Sequence, residues 1–216
     1  LGLVVAILAF GLLSTVVGAW YAGAEGSSNA RLITRNSISL VFPLPLSHAE
    51  RIRQTDGVQQ ISWANWFGAI YKEPKNFFPQ FAIQAESYLA LYPEYVIPEA
   101  DKAAFLKDRR GAVIGRKIAQ THGLQVGDLM TLKGTIYPGN WEFQVRGIYD
   151  GRDPSTDAAQ MFFQWEYLNE EAKRRALPRA VNTTGVFIAQ ITEPARAAEI
   201  SLAIDALFKN SAFETL

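Results

Sequence analysis

Two histidines, His48 and His122, are the whole imidazole complement of this 216-residue chain, and it contains no cysteine. Thiol nucleophiles, disulfide frameworks and cysteine-based zinc sites are therefore excluded. A Ser–His–Asp triad would have to recruit one of those two histidines, and no Gly-x-Ser-x-Gly turn occurs to present a nucleophile. His122 stands directly before Gly123 at the end of a predicted helix, where an imidazolium complements the helix dipole. His48 falls in the first turn of another predicted helix and reads as exposed. Gly134 and Gly139 are spaced like the outer glycines of a phosphate loop, but Asn140 and Trp141 replace the lysine and hydroxyl residue. Gly111 and Gly115 likewise lack the dinucleotide pattern. Asp150, Asp153 and Asp157 put three carboxylates in one loop, the oxygen chemistry that hard cations take. Their spacing departs from the alternating EF-hand series and Pro154 stiffens the middle, so a solvated turn accounts for them. The residues name no catalytic group, no cofactor-binding residue and no metal ligand.

What remains is contact chemistry. Seven aromatic residues crowd between Trp63 and Phe81: Trp63, Trp66, Phe67, Tyr71, Phe77, Phe78 and Phe81. Large rings anchor small α+β cores. Yet Trp66 and Phe67 are adjacent in a predicted strand and so point to opposite faces. One face is left to meet a partner, a second copy or an apolar ligand, and Trp63, Trp66, Phe67, Tyr71, Phe77 and Phe78 are the candidate contact surface. The basic cluster Lys173, Arg174, Arg175 and Arg179 needs no ligand, because Glu170 and Glu171 precede Arg174 and Arg175 by one helical turn. Lys and Arg total 21 against 21 Asp and Glu. That balance argues against nucleic acid as a main partner, which draws on a basic surplus.

The charges are unevenly placed. Leu1–Ala24 carries none, and the first is Glu25. At ~1.5 Å per residue, about 20 apolar residues cross the hydrocarbon core of a bilayer. Trp20 and Tyr21 fall near the end of the run, where such rings favour the membrane–water interface. The segment is predicted to be a transmembrane helix. The alternative is a secretory signal cleaved near Ala22-Gly23-Ala24, although the run exceeds the usual apolar length of one. Both place residues 25–216 outside the cytoplasm.

Beyond it the pattern predicts a strand over Arg31–Phe42, then a helix opened by a Ser47/Glu50 capping box and closed by Gly57. Strands are expected at Val58–Ala69 and Gln80–Ala85, with the loop Lys72–Pro79 between them. A helix over Ala100–Lys107, a strand at Gly111–Ile114 and a helix from Gly115 to His122 follow. Strands Leu129–Lys133 and Trp141–Ile148 join through the turn Tyr137-Pro138-Gly139-Asn140. Met161–Arg175 is predicted helical, Val186–Ile191 a strand, and a last helix follows Thr192 as cap, with Ile200, Ile204, Leu207 and Phe208 on its apolar face. This order predicts an α+β fold in which 25–95 and 180–216 form one subdomain and 96–179 is inserted.

The run Gly111-Ala-Val-Ile-Gly115-Arg-Lys-Ile-Ala119, then Gly123-Leu-Gln-Val-Gly127-Asp128, then Val145-Arg-Gly147-Ile148 resembles the MacB-like periplasmic core domain of FtsX/MacB-type ABC transporter permeases. The surrounding order agrees: a membrane span, the segment Leu46–Asp56 before Gly57-Val58, and a closing Val186-Phe-Ile strand with a final helix. The Val58–Phe81 aromatic region and Asp150–Pro178 match no fixed motif of that family. Gly115, Gly123, Gly127 and Asp128 are turn-makers, and the family implies no catalytic residue and no cofactor here. The resemblance implies a porter-like subdomain (25–95, 180–216), a smaller sabre-like insert (96–179), and Leu1–Ala24 as a transmitting helix in a bacterial inner membrane. It further implies mechanotransmission: a cytoplasmic ABC ATPase, fused or separate, drives a permease dimer that exports a drug, peptide or lipoprotein, with a membrane-fusion protein as a further partner. The competing reading is a single-span anchored sensor or partner-binding module.

Overall fold

A computed structural model describes residues 30–39, 42–208 and 213–215. The predicted span Leu1–Ala24 lies outside the described residues. Among those described, no helix is long and apolar enough to cross a membrane.

The strands are β1 (Arg31–Asn36), β2 (Leu44–Pro45), β3 (Val58–Trp66), β4 (Ala69–Tyr71), β5 (Gln80–Ile83), β6 (Tyr95–Val96), β7 (Gly111–Gly115), β8 (Leu129–Gly134), β9 (Gly139–Gly151), β10 (Met161–Gln164), β11 (Thr183–Thr184), β12 (Val186–Ile191) and β13 (Phe213–Thr215). The helices are α1 (His48–Arg53), α2 (Ala85–Leu91), α3 (Glu99–Lys107), α4 (Arg116–His122), α5 (Trp165–Arg174) and α6 (Ala197–Ala206). One sheet runs β13-β1-β12-β3-β5-β10-β7-β9-β8-β4, with β6 beside β9. Pairing is antiparallel except for β5–β10 and β7–β9. The mixed α/β class matches the expectation.

Among the described residues, three apolar clusters follow from this path. At the β13–β3 end, α1 and α6 cover one face: Ile52, Ile200, Ile204 and Phe208 pack on Phe187, Ala189 and Ile191. In the middle, α2 and α3 bring Tyr88, Leu89 and Phe105 against Ile83, Phe162 and Ile188. At the other end the strands curl around Phe67, Trp141, Phe143 and Phe163, with α4 and α5 closing the side. In β9, residues 141, 143 and 145 are buried between more exposed neighbours, the period of a half-buried strand. A bulge at Arg146 shifts the alternation, so that Val145 faces the curled core and Tyr149 the middle one.

A buried side chain completes the curl. Gln80 is fully buried, and its carboxamide oxygen accepts from the Ala69 N–H at 2.8 Å while its nitrogen donates to the Ala69 carbonyl at 3.2 Å. The same nitrogen also donates to the Phe78 carbonyl. The side chain thus takes the place of a strand neighbour between β5 and β4.

Several expected elements are corrected. The first strand stops at Asn36, whose side-chain oxygen accepts from the Ile38 and Ser39 N–H groups at 3.0 and 3.3 Å and turns the chain. The Ser47/Glu50 capping box does not form: Ser47 is already helical and makes no cap bond, and Glu50 instead accepts from Arg53 and Gln54. Met161–Gln164 is a strand, buried on both faces between β5 and β7, before α5 begins. A short apolar run of this kind has no period to separate strand from helix. Thr192 bonds back to the Gly57 carbonyl at 3.5 Å rather than capping, and a 3₁₀ turn at Pro194–Arg196 leads into α6. Helix α2 was not expected. Its cap is Gln84, whose side-chain oxygen accepts from Ser87 N–H at 2.7 Å, a role seldom carried by glutamine.

Candidate functional site

The six candidate contact residues separate by burial. Phe67, Tyr71 and Phe78 are buried in the curled core, so that part of the expected surface is interior. Phe67 plugs the curl edge-on, with ring centroids 5.1 Å from Trp141 and 5.0 Å from Phe163, while Tyr137 stacks on it at 5.6 Å. Trp66 and Phe77 remain 41% and 56% exposed. They form a lip with Phe81: Trp66 meets Phe77 at 6.0 Å and Phe81 edge-on at 5.2 Å. Trp63 is half-buried on the opposite face of β3, edge-on to Trp165 at 5.9 Å. Trp66, the last residue of β3, faces outward and Phe67, just past the strand's end, faces inward, so the two take opposite sides as the pattern predicts.

Beside the lip, β12 gives way to the turn at Gly185 while β3 runs on, and the gap is a cavity of about 480 Å³. Its far wall is the tip of the β8–β9 hairpin, Ile136 and Tyr137. That tip is tied to the turn after β3: the Thr135 hydroxyl and N–H both donate to the Gly68 carbonyl, at 2.6 and 3.0 Å. Gly68 holds φ +59°, and a Cβ there would press on Ile136 at 2.8 Å. The positive φ and the close approach both call for glycine. From behind, Arg175 stacks on Trp141 at 4.3 Å and donates to the Pro138 and Asn140 carbonyls at 3.1 and 2.8 Å. Its own charge is met by Glu171 at 2.9 Å. Lys173, Arg174 and Arg175 thus pair with Glu170 and Glu171 at the end of α5, and Arg175 also fixes the hairpin.

The predicted turn-makers act as follows. Gly115 precedes α4 with ordinary extended angles, so it is not needed for a tight turn; a Cβ there would lie 2.0 Å from the Ala158 carbonyl oxygen. Close approach explains this glycine. Gly123 ends α4 in the left-handed region at φ +65°. Gly127 has φ +102°, and Asp128 accepts from the Gln125 N–H at 2.8 Å to close the turn into β8.

Neither histidine is placed for chemistry. His122 lies edge-on to Tyr71 at 5.0 Å, and desolvation, followed by nearby Lys72, holds its pKa below the ordinary value. The expected favourable imidazolium at that helix end is thereby disfavoured. His48, expected exposed, is half-buried and stacks on Phe208 at 4.6 Å, with its pKa lowered first by burial and then by Arg51. Of the loop carboxylates, Asp150 is held by Arg116 at 3.0 and 2.8 Å, which lowers its pKa, and Asp157 bonds to the Ala159 N–H at 2.9 Å. No group of three or more potential metal ligands occurs among the described residues. A tyrosine stack, Tyr88, Tyr92 and Tyr95, was not foreseen; Tyr88 and Tyr92 lie 4.4 Å apart, and burial raises all three pKa values. Arg31 covers Tyr92 and pairs with Glu94 at 2.8 Å, fastening β1 to the end of α2.

No protein-family model and no curated protein matches the sequence. Solved structures do match its fold. The extracellular domain of the noncanonic ABC-type transporter YknZ from Gram-positive bacteria aligns with a TM-score of 0.59 at 11% identity, covering 86% of this chain and 99% of that one. The periplasmic region of MacB from Actinobacillus actinomycetemcomitans aligns at 0.57 and 9% identity, covering 87% and 88%. A domain of a putative permease protein from Porphyromonas gingivalis gives 0.56 at 12% identity, covering 87% and 88%. The fold is that of a MacB-like periplasmic core domain.

Proposed function

We propose that this chain is the extracytoplasmic domain and first membrane span of an ABC transporter permease. The supporting observation is the shared fold over 86–87% of the chain with extracellular and periplasmic transporter domains. The placement of the sheet's outer strands fits the same reading. β1 and β13 are antiparallel neighbours, with Thr34 opposite Thr215 and Asn36 opposite Phe213. The beginning of β1 and the end of β13 therefore leave the domain at one edge. A membrane span preceding β1 and another following β13 would emerge together and move together.

In this reading Leu1–Ala24 sits in the bacterial inner membrane, and 25–216 face the extracytoplasmic side. Residues 25–95 and 180–216 are the membrane-proximal porter-like part, and 96–179 the inserted sabre-like part. ATP hydrolysis on a cytoplasmic domain or subunit moves the spans, and β1 transmits the displacement into the sheet. Its ladder with β12 runs from Arg31–Gln190 to Arg35–Val186 and is loaded along its length by a pull on β1. The domain itself performs no catalysis. It works as one of two permease copies, with a membrane-fusion protein as an external partner, and its cargo is a drug, peptide or lipoprotein.

Sequencing the gene past Leu216 tests the proposal. Three further apolar stretches of ~20 residues are expected. A stop codon shortly after Leu216 would overturn the permease assignment and leave an anchored single-span module.

A further inference from the structure

β5 and β10 are parallel neighbours, and each runs straight into a helix. The two helices leave to opposite faces of the sheet: α2 joins the middle core and α5 the curled one. Such a split at the carboxyl ends of parallel strands opens a crevice, and ligands of α/β sheets bind at points of this kind. Here the crevice is a cavity of about 560 Å³, within the range of small-molecule sites, and the end of α3 supplies its third side. Its wall carries charges of both signs. Lys107 and Arg109 come from the end of α3, and Glu86 and Glu166 from the first turns of α2 and α5. None of these four side chains has a hydrogen-bond or ion-pair partner among the described residues. Gln164 lines the same crevice and is 7% exposed. Its nitrogen donates to the Phe105 carbonyl at 2.8 Å. A carbonyl only accepts, so this bond fixes the orientation of the amide and leaves the oxygen as its free end. That oxygen meets no donor among the described groups, yet it is not sealed from the crevice. It is an oriented acceptor for a donor brought by an occupant.

We infer that this crevice binds a small zwitterion of the free α-amino acid class. Its carboxylate meets Lys107 and Arg109, and its ammonium donates to the Gln164 oxygen and to Glu86 and Glu166. An ion of a single sign would leave one pair of wall charges uncompensated and set beside a like charge. A zwitterion answers both pairs, through charge-assisted hydrogen bonds. Leu106, 40% exposed in the same wall, offers an aliphatic side chain its contact. The inference stands apart from the transport reading, since binding can be measured without any transport.

The test is a calorimetric titration of the full chain in nanodiscs with L-leucine at low salt, after subtraction of empty nanodiscs. Saturable binding is expected. 4-Methylpentanoate, the same skeleton without the ammonium, should bind at least roughly tenfold more weakly, and so should 3-methylbutylamine, which lacks the carboxylate. Arg109 and Glu166 are exposed, so Arg109→Gln and Glu166→Gln leave folding intact. Each should weaken L-leucine roughly fivefold or more. Gln164→Met removes the oriented oxygen and should weaken it as well. No saturable heat, or binding that Arg109→Gln and Glu166→Gln both leave unchanged, would overturn the site. Either analogue binding as tightly as L-leucine would overturn the zwitterion. Unchanged affinity in a folded Gln164→Met would overturn the role of its oxygen, and the two exposed variants decide the site even if that one does not fold.

Discussion

At Gly115 and Gly123 the same amino acid is required for two different physical reasons, and substitution separates them. A methyl group at Gly115 would meet the Ala158 carbonyl oxygen at 2.0 Å. Making room pulls on two bonds that hold the 158–160 segment, Gly115 N–H to Gln160 at 2.9 Å and Lys117 N–H to Ala158 at 3.1 Å. Gly115→Ala should cost about 3 kcal/mol or more in urea unfolding. A methyl group at Gly123 would meet nothing within 4 Å, and only its φ of +65° resists it. Gly123→Ala should cost about 1 kcal/mol. Equal losses would contradict the close-approach explanation. His122 supplies a pH signature. Because its folded pKa is below 6.5, the unfolded state takes up a proton first as pH falls. Its contribution is complete above about pH 6.5 and declines toward the folded pKa. The urea midpoint should fall between pH 7.5 and 5, and His122→Phe should shrink that fall; an unchanged pH profile in the variant would count against it.

Among the elements, those with a clear period or a clear terminator were legible in the sequence. The alternation of Trp141, Phe143 and Val145 marked β9, and Gly123 marked the end of α4. The elements missed were those settled by tertiary contact. Met161–Gln164 is a strand because β5 and β7 flank it on both sides, and α2 is capped by an atypical glutamine. The candidate surface was half legible for the same reason. Alternation separated Trp66 from Phe67, but only the path of the chain buries Tyr71 and Phe78 beneath the curl. The hairpin wall of the cavity, Ile136 and Tyr137, comes from a segment some 70 residues away in sequence, and no local pattern connects it to Trp66. Gln80 is the element-scale prediction. Gln80→Leu removes the donor and acceptor that serve Ala69 and should destabilise the protein by roughly 2–4 kcal/mol. Hydrogen exchange at the Ala69 amide should accelerate with it. An Ala69 amide as protected as in the wild type would show that the side chain does not close the curl.

For the whole molecule, the sheet passes through both halves of the proposed division: β10 pairs with β5, and β4 with β8. Continuous strand pairing thus links β1 to the β8–β9 hairpin, and the proposed displacement of β1 would travel along it. The central claim is that this sheet stands outside the cytoplasm on a membrane-embedded Leu1–Ala24. The chain has no native cysteine, so a single introduced one reports without interference. Ser155 is exposed in the turn after β9. Ser155→Cys in the full chain, treated in intact spheroplasts with a membrane-impermeant maleimide, should label fully before lysis. Labelling that occurs only after lysis would place the domain in the cytoplasm and contradict the account.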